Sequence, residues 1–211
     1  MKKLLKLSLL FFLTILSACG AWTRVSSVKG PAYTGQAYHK IMVEGRGRTP
    51  KENLDIEWTF RNVLQNPNLI VVASTDLFPV NQTFTEEDKK VKINSEKIEA
   101  VLIVSFKDKQ VKHNYSPPDT TTTTVKNKDG KTEVKTTTSG GYDYYTEYNY
   151  HDLLMIDTAS GKPVWTGSAS TQADPNDFWS PADKDKDFMT SLANKTKKKL
   201  AKDGLIQVPE K

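Results

Sequence analysis

A segment of the sequence that mirrors itself constrains the fold more than any other feature. Residues 100–106 and 152–157 are apolar runs of strand length, and the threonine-rich residues 119–139 lie midway between them. Asp129 and Gly130 stand at the centre, and an Asp-Gly pair is favoured in the two-residue turns that join antiparallel strands. The two apolar runs are therefore predicted to pair as the base of one long hairpin, with the threonine-rich segment at its end.

The predicted register pairs residues whose numbers sum to 259. Val125 then faces Val134, and threonines face threonines on both arms, which are pairs that stabilise antiparallel ladders. Because a run of threonines specifies register weakly, residues 119–139 stay open between an ordered hairpin tip and an unstructured loop. Nearer the base, the same sum pairs Tyr115 with Tyr144, Phe106 with Leu153 and Val104 with Met155.

The other elements predict an α/β fold. Residues 38–44, 69–73 and 163–169 are further strand candidates. Three helices are expected where a capping side chain precedes a proline or a run of acids. The resulting order is β-α-β-α-β-β-β-α, a mixed sheet with helices packed on it and a long protruding β-hairpin. The three cap residues are Thr49, Thr85 and Ser180.

Two of these helices have an apolar side that predicts which face is buried. In the first helix, Leu54, Trp58 and Leu64 lie on one side, next to Val63. In the last helix, one face carries a longer apolar row, and Gly204 is placed to end the helix. The members of that row are Phe188, Leu192, Thr196 and Leu200.

The N-terminus has the layout of an export signal. Three lysines within the first six residues precede the apolar residues 7–16, a run shorter than the roughly 20 residues that span a bilayer. The sequence Leu16-Ser17-Ala18-Cys19 resembles the lipobox of bacterial lipoproteins. The resemblance implies cleavage before Cys19, attachment of diacylglycerol to its sulfur and anchoring of the protein in a lipid bilayer.

These features divide the chain into a signal peptide (1–18), a lipidated cysteine with a tether (19–37) and one α/β domain (38–208). In the Gram-negative sorting pattern that the lipobox resembles, an Asp after the cysteine favours the inner membrane. Gly20 stands there instead, so we expect an outer-membrane lipoprotein that faces the periplasm.

Charge and cysteine content restrict the function classes. The formal net charge of +5 falls to +2 without residues 1–18, which hold three lysines and no acid. The basic character therefore belongs largely to the export signal, and nucleic acid is not expected as a partner. The single cysteine excludes an intramolecular disulfide and any site with several thiolate ligands.

A row of tyrosines is the main candidate interaction surface. By period-two counting, the row lies on one face of a strand, with Thr146 among its members. It predicts an aromatic platform for a glycan, a peptide or a partner protein. The alternative is an aromatic cover over the sheet, since strands are rich in tyrosine. The row consists of Tyr142, Tyr144, Tyr148 and Tyr150.

Other constellations carry weaker signals. Arg46 and Arg48 precede a helix start, where anions can bind, although a strand-to-helix turn explains the neighbouring glycines equally well. The three histidines, His39, His113 and His151, lack metal-ligand spacing, and no nucleophile motif is present. We therefore expect no metal, no cofactor and no enzymatic activity.

Several phrases of the sequence resemble a known class of bacterial proteins. Residues 98–104 and 156–165, with the ending Asp203-Gly204-Leu205-Ile206, resemble small bacterial lipoproteins of the DUF4136 kind. The layout is also similar to periplasmic lipoprotein domains of the penicillin-binding-protein activator, curli secretion-channel and TolB N-terminal type. The resemblance implies an α/β envelope domain without a catalytic signature, and the threonine-rich insertion departs from it.

The expected function is a binding or interaction module of the cell envelope. Its expected partners are the lipid bilayer, through acylated Cys19, and another envelope protein or a peptidoglycan component. The alternative is an envelope hydrolase or ligand-binding enzyme whose site is built from scattered Asp, Glu and Tyr side chains, for which a cleft with acids of raised pKa is the expected sign.

Overall fold

A computed structural model describes residues 21–126, 128–129, 131–172 and 181–209. The predicted signal peptide and Cys19 lie outside these residues. The strands are β1 (Trp22–Lys29), β2 (Lys40–Arg46), β3 (Ile70–Ala73), β4 (Ala100–Ser116), β5 (Asp119–Lys126), β6 (Thr132–Ser139), β7 (Tyr142–Asp157) and β8 (Pro163–Gln172). The helices are α1 (Pro50–Leu64), α2 (Ser74–Leu77), α3 (Glu86–Ser95) and α4 (Pro181–Lys202).

Six strands form one mixed sheet in the order β1-β8-β7-β4-β2-β3. Strand β2 pairs parallel to both β3 and β4, whereas β4, β7, β8 and β1 pair antiparallel. Strands β5 and β6 form a separate two-stranded ladder. The predicted α/β class, with a mixed sheet, packed helices and a long hairpin, is confirmed.

The tether predicted over residues 19–37 is wrong for much of its length, because β1 occupies Trp22–Lys29 and forms an edge strand against β8. The inward side chains of β1 include hydroxyls, so the strand lacks the apolar alternation that would have revealed it. Thr23 is buried and its hydroxyl lies 2.9 Å from that of Thr171 and 2.7 Å from that of Ser191 on α4. Hydrogen bonds between hydroxyls thus connect this edge strand to β8 and to α4.

The long hairpin forms, but its predicted register is wrong. From Ala100 to Phe106 the paired numbers sum to 257, and from Asp108 outward they sum to 258, because Lys107 is left unpaired as a bulge. The β5–β6 ladder also follows 258 and ends at Lys126 with Thr132, so its register is not the one predicted from an Asp-Gly turn; Gly130 itself lies outside the described residues. In the observed register, prolines 117–118 lie opposite glycines 140–141, and both arms lose strand structure there.

The sheet has one fully covered face and one partly covered face. Helices α1 and α4 pack on the first face over a core that includes Phe60, Trp165 and Leu192. On the second face, a smaller cluster around Met42 and Ile103 packs against side chains from the segment between β3 and β4. Among the described residues, none packs over the part of the second face formed by β1, β8 and the outer half of β7, which we call the open sheet face.

The buried side of α1 agrees with the prediction at Leu64 and differs from it at Leu54 and Trp58. Ile56, Phe60 and Leu64 face the sheet, whereas Leu54 and Trp58 are exposed. The exposed pair and the buried residues are each spaced four residues apart, so helical periodicity alone does not tell which of the two sides faces the sheet. The prediction for α4 is confirmed, because all four members of its apolar row are buried and the helix ends before Gly204, whose φ is 82°.

Asp203, the first residue of the motif Asp203-Gly204-Leu205-Ile206, has a structural role. Its carboxylate accepts hydrogen bonds from the Trp165 indole at 2.8 Å, the Ser27 hydroxyl at 2.7 Å and the Lys199 ammonium at 3.1 Å. These three donors belong to β8, β1 and α4. Asp203 thus joins the end of the last helix to two strands of the sheet.

Candidate functional site

The predicted row of tyrosines lies on one face of β7 and is divided into two pairs. Tyr142 and Tyr144 have ring centroids 5.9 Å apart, and Tyr148 and Tyr150 are stacked at 6.5 Å. Thr146 separates the pairs; it is buried and accepts a hydrogen bond of 2.9 Å from the Asn114 side chain. The structure therefore brings the four tyrosines onto one surface.

The opposite face of the same ladder is also aromatic, which the wrong register concealed. With a sum of 258, Tyr115 faces Asp143 rather than Tyr144 and lies on the other side of the ladder. There His113 stacks on Tyr145 at 5.0 Å and lies 2.9 Å from the Asp143 carboxylate. Tyr115 and Tyr145 are both exposed, so each face of the ladder presents aromatic rings to solvent.

The outer part of the hairpin extends beyond the sheet. The pairing of β8 with β7 ends at Tyr148, so from Val111 outward β4 and β7 pair only with each other among the described residues. We call residues 111–147 the arm. At a rise of about 3.3 Å per residue, the chain from Val111 to Lys126 reaches roughly 50 Å along the arm.

The open sheet face carries a further aromatic residue that sequence reasoning missed. Trp22 is 46% exposed and lies in the same cross-strand row as Gln172 and Tyr148. The guanidinium of Arg24 lies 4.3 Å from the centre of its ring. The misassigned tether hid this residue, since only a strand assignment for residues 22–29 would have placed it beside the tyrosines.

The two candidate anion-binding arginines are both engaged by carboxylates. Arg46 contacts Glu44 at 2.6 Å, and Arg48 contacts Glu52 in the first turn of α1 at 2.7 Å. Thr49 caps α1 as predicted, accepting from the Glu52 amide at 3.2 Å. The structure therefore does not bring Arg46 and Arg48 together as a pair of anion ligands; each side chain is directed to a neighbouring acid.

Arg48 borders a cleft of about 610 Å³ between α1, the bulge region of β4 and β7, and the start of α4. Its guanidinium lies 4.6 Å from the centre of the Phe106 ring. The exposed Trp58 is on the α1 wall, and Phe188 and Met189 line the α4 wall. The volume is in the range typical of small-molecule sites, which makes this cleft a candidate ligand site.

His151 lies at the inner end of this cleft and is 4% exposed. Burial lowers the pKa of its imidazole from 6.5 to about 4, against the opposing effects of the nearby Asp152 and Glu52 carboxylates, and Arg48 lowers it further. The ring meets Phe106 edge-on with centroids 5.6 Å apart, and its buried Nδ1 has no hydrogen-bond partner among the described residues. His151 is therefore a neutral imidazole at neutral pH.

Glu52, one of the acids that line the cleft, lacks the raised pKa that is the expected sign of the enzymatic alternative. Burial raises the pKa of Glu52, but its hydrogen bonds with Arg48 and the charge of Arg48 outweigh burial and leave the pKa below its ordinary value. Among the described carboxyl groups, every displaced pKa is displaced downward. The described residues also contain no group of three or more side chains that could hold a metal ion.

The sequence matches no protein-family model and none of the curated proteins. Among solved structures, the chain is similar to the PelC dodecamer from Paraburkholderia phytofirmans in two crystal forms, one of them of a single-substitution variant. Each match has 14% identity and a TM-score of 0.48, and covers 88% of this chain and 99% of the other. A PDZ domain protein from Parabacteroides distasonis matches with 11% identity and a TM-score of 0.31, over 87% of this chain and 38% of the other.

No helix among the described residues is both long and apolar enough to cross a membrane. The DUF4136 resemblance, the lipobox and the acylation of Cys19 remain predictions.

Proposed function

We propose that this chain is a lipid-anchored interaction module of the cell envelope that binds another envelope protein through its arm. The observation that carries the proposal is the exposure of aromatic side chains on both faces of a two-stranded ladder that extends beyond the sheet. Tyr142 and Tyr144 lie on one face, and Tyr115 and Tyr145 lie on the other. A ladder of two strands cannot bury both of its own faces, so a partner is needed to cover them.

The composition of the arm favours a protein as the partner. Tyrosine is enriched at protein interfaces because its ring buries a large area while its hydroxyl keeps a polar contact. A two-stranded ladder also leaves backbone N–H and C=O groups free along both edges, and these can pair with a strand of a partner. The arm therefore offers side-chain and backbone contacts together.

A binding role is favoured over catalysis by the electrostatics of the cleft. Its acids Glu52 and Asp55 are paired with Arg48 and Lys51 at 2.7 and 2.6 Å, and the pKa of Glu52 is lowered. A hydrolase of the alternative kind needs a carboxylic acid that stays protonated near neutral pH, which requires a raised pKa.

Acylation of Cys19 supplies the anchor in this proposal, in the outer membrane with the domain in the periplasm. Only Gly20 and Ala21 separate Cys19 from the first residue of β1. Three residues span at most about 10 Å, so the domain would be held close to the bilayer and the arm would provide the reach. Replacing Cys19 by Ala should leave an unprocessed chain without acyl groups, detected by mass spectrometry, whereas a variant still processed and acylated would contradict the anchor.

The test of partner binding is the size of the complex that contains the lipidated chain. Envelopes are extracted with a mild detergent, and the native complex is compared with that of a variant in which the whole arm, residues 111–147, is replaced by a short turn between Gln110 and Tyr148. We expect the intact chain in a complex larger than one copy with its detergent, and the shortened variant as a single copy. Equal sizes for the two chains would overturn the proposed role of the arm.

A further inference from the structure

The cleft beside His151 is separate from the arm and has its own chemistry. Its walls belong to α1, α4 and the bulge region, whereas the arm begins at Val111. Aromatic and polar side chains both line it, and it is large enough for a small molecule rather than a single ion. Its ligand can therefore be considered without reference to the protein partner proposed above.

The charged side chains that line the cleft are two ion pairs and one further cation, Lys186. Arg48 pairs with Glu52, and Lys51 pairs with Asp55 one turn along the same helix. A ligand that displaced one member of such a pair would leave the other uncompensated. The excess of lining cations therefore selects against cationic ligands, and a neutral ligand leaves both ion pairs intact.

His151 supplies a hydrogen-bond donor at the inner end. Its Nδ1 is buried without a partner, and a buried N–H without an acceptor is less tolerated than a buried acceptor without a donor. We assign the proton of the neutral ring to Nε2 on this ground. The imidazole can then donate from Nε2 to an oxygen atom of a ligand in the cleft.

Aromatic rings supply the other half of the site. Trp58 is 59% exposed and lies on the α1 wall of the cleft. Other apolar side chains of α1, such as Ile56 and Phe60, are buried. Phe106 lies beside His151 on the β4 wall. A pyranose ring has an apolar C–H face that packs on such rings and a rim of hydroxyls that reaches donors and acceptors.

We propose that this cleft binds a neutral saccharide, with the sugar ring packed on Trp58 and a hydroxyl or amide oxygen bound to His151. Chemically, a neutral N-acetylated sugar of the kind found in envelope glycans meets each requirement. The ring provides the stacking face, the hydroxyls and acetamide provide the oxygens, and the absence of charge leaves the two ion pairs intact.

The test is calorimetric titration of the mature chain in a detergent that has no sugar headgroup. The probes are the N-acetylglucosamine disaccharide, cellobiose as a second neutral sugar, and the de-N-acetylated glucosamine disaccharide as the cationic counterpart of the first. We expect at least one neutral disaccharide to bind with a Kd of about 1 mM or below, and the cationic one to bind about tenfold more weakly.

Matched variants connect any binding to this cleft. Trp58→Ala should weaken binding about tenfold, whereas Trp22→Ala, at the other exposed tryptophan, should not change it. His151→Phe should weaken binding similarly. If His151→Phe does not fold, Trp58→Ala alone still tests the site. The inference is overturned if neither neutral sugar binds at about 10 mM, if the cationic sugar binds equally well, or if Trp58→Ala has no effect. Excision of residues 117–141 should leave sugar binding intact, which separates this site from the arm.

Discussion

At the scale of single residues, Glu57 is a buried acid that the apolar pattern gave no reason to notice. It is 3% exposed, and its carboxylate accepts from the Gly45 amide at 3.1 Å and from the Thr75 amide and hydroxyl at 2.9 and 2.7 Å. It thereby connects α1 to the end of β2 and to α2. A Cβ at Gly45 would meet the Asn53 carbonyl oxygen at 2.4 Å, so helix and strand approach closely here.

Replacing Glu57 by Ala should destabilise the domain by about 2–4 kcal/mol, because buried donors on Gly45 and Thr75 lose their acceptor. The measurement is urea unfolding followed by circular dichroism. Glu87→Ala, at an exposed acid in the first turn of α3, is the control and should change the free energy of unfolding by less than about 1 kcal/mol. Equal effects of the two substitutions would contradict a structural role for Glu57.

His151 should make stability depend on pH in a defined direction. Its pKa is about 4 in the folded chain and 6.5 as the ordinary value, so the unfolded chain binds more protons between these values. Its contribution to stability is complete above pH 6.5 and is lost as the pH falls from 6.5 toward 4. The charged groups that act on it are Asp152, Glu52 and Arg48.

From about pH 7.5 to about pH 5, the native chain should lose about 2 kcal/mol more stability than His151→Phe does. The comparison between the two chains removes the contribution of the carboxyl groups, which both retain. Parallel pH profiles of the free energy of unfolding would show that His151 is not held neutral by burial.

At the scale of elements, the tip of the arm (residues 117–141) should contribute little to the stability of the sheet. Within the part of the chain that the structure describes, β5 and β6 pair only with each other, and the proline and glycine breaks separate them from β4 and β7. Excision of residues 117–141 should therefore change the free energy of unfolding by less than about 1 kcal/mol. Thermal unfolding checks this prediction, and a large loss of stability would mean that the tip supports the sheet.

The same independence predicts the pattern of amide hydrogen exchange. In the isolated chain, amides of β5 and β6 should exchange many times faster than those of the inner half of β4, which are held by pairs on both sides. Slow exchange along β5 and β6 without a partner would contradict this assignment.

The sequence predicted the elements better than their alignment. Caps at Thr49 and Thr85 and the buried face of α4 were readable because capping and helical periodicity are local. The register was not, because one unpaired residue at Lys107 shifts every pair beyond it, and threonine runs fit several registers equally well. Strand β1 was missed because its inward residues bind through hydroxyls.

The candidate site was predictable only in part for the same physical reasons. The four tyrosines on one face follow from period-two alternation alone, which a shift of register between strands does not change. The cleft required tertiary structure, since Trp58, Phe106 and His151 come from three elements and each looked unremarkable in its own segment. The aromatic residues on the second face of the arm required the correct register.

At the scale of the whole molecule, the account describes a domain held at a bilayer by Cys19 with an arm that reaches for another protein. Photo-crosslinking in living cells tests this most directly. A photoreactive phenylalanine replaces Tyr144 or Lys128 in separate full-length chains, and Glu87, exposed on α3, is the control position.

The account predicts one discrete adduct with a different envelope protein from positions 144 and 128, and none from position 87. The adduct from 144 should disappear when Tyr115 and Tyr145 are both replaced by Ser, because these rings are part of the proposed contact. No adduct from either arm position, an equal adduct from position 87, or an adduct that consists of two copies of this chain would contradict the claim.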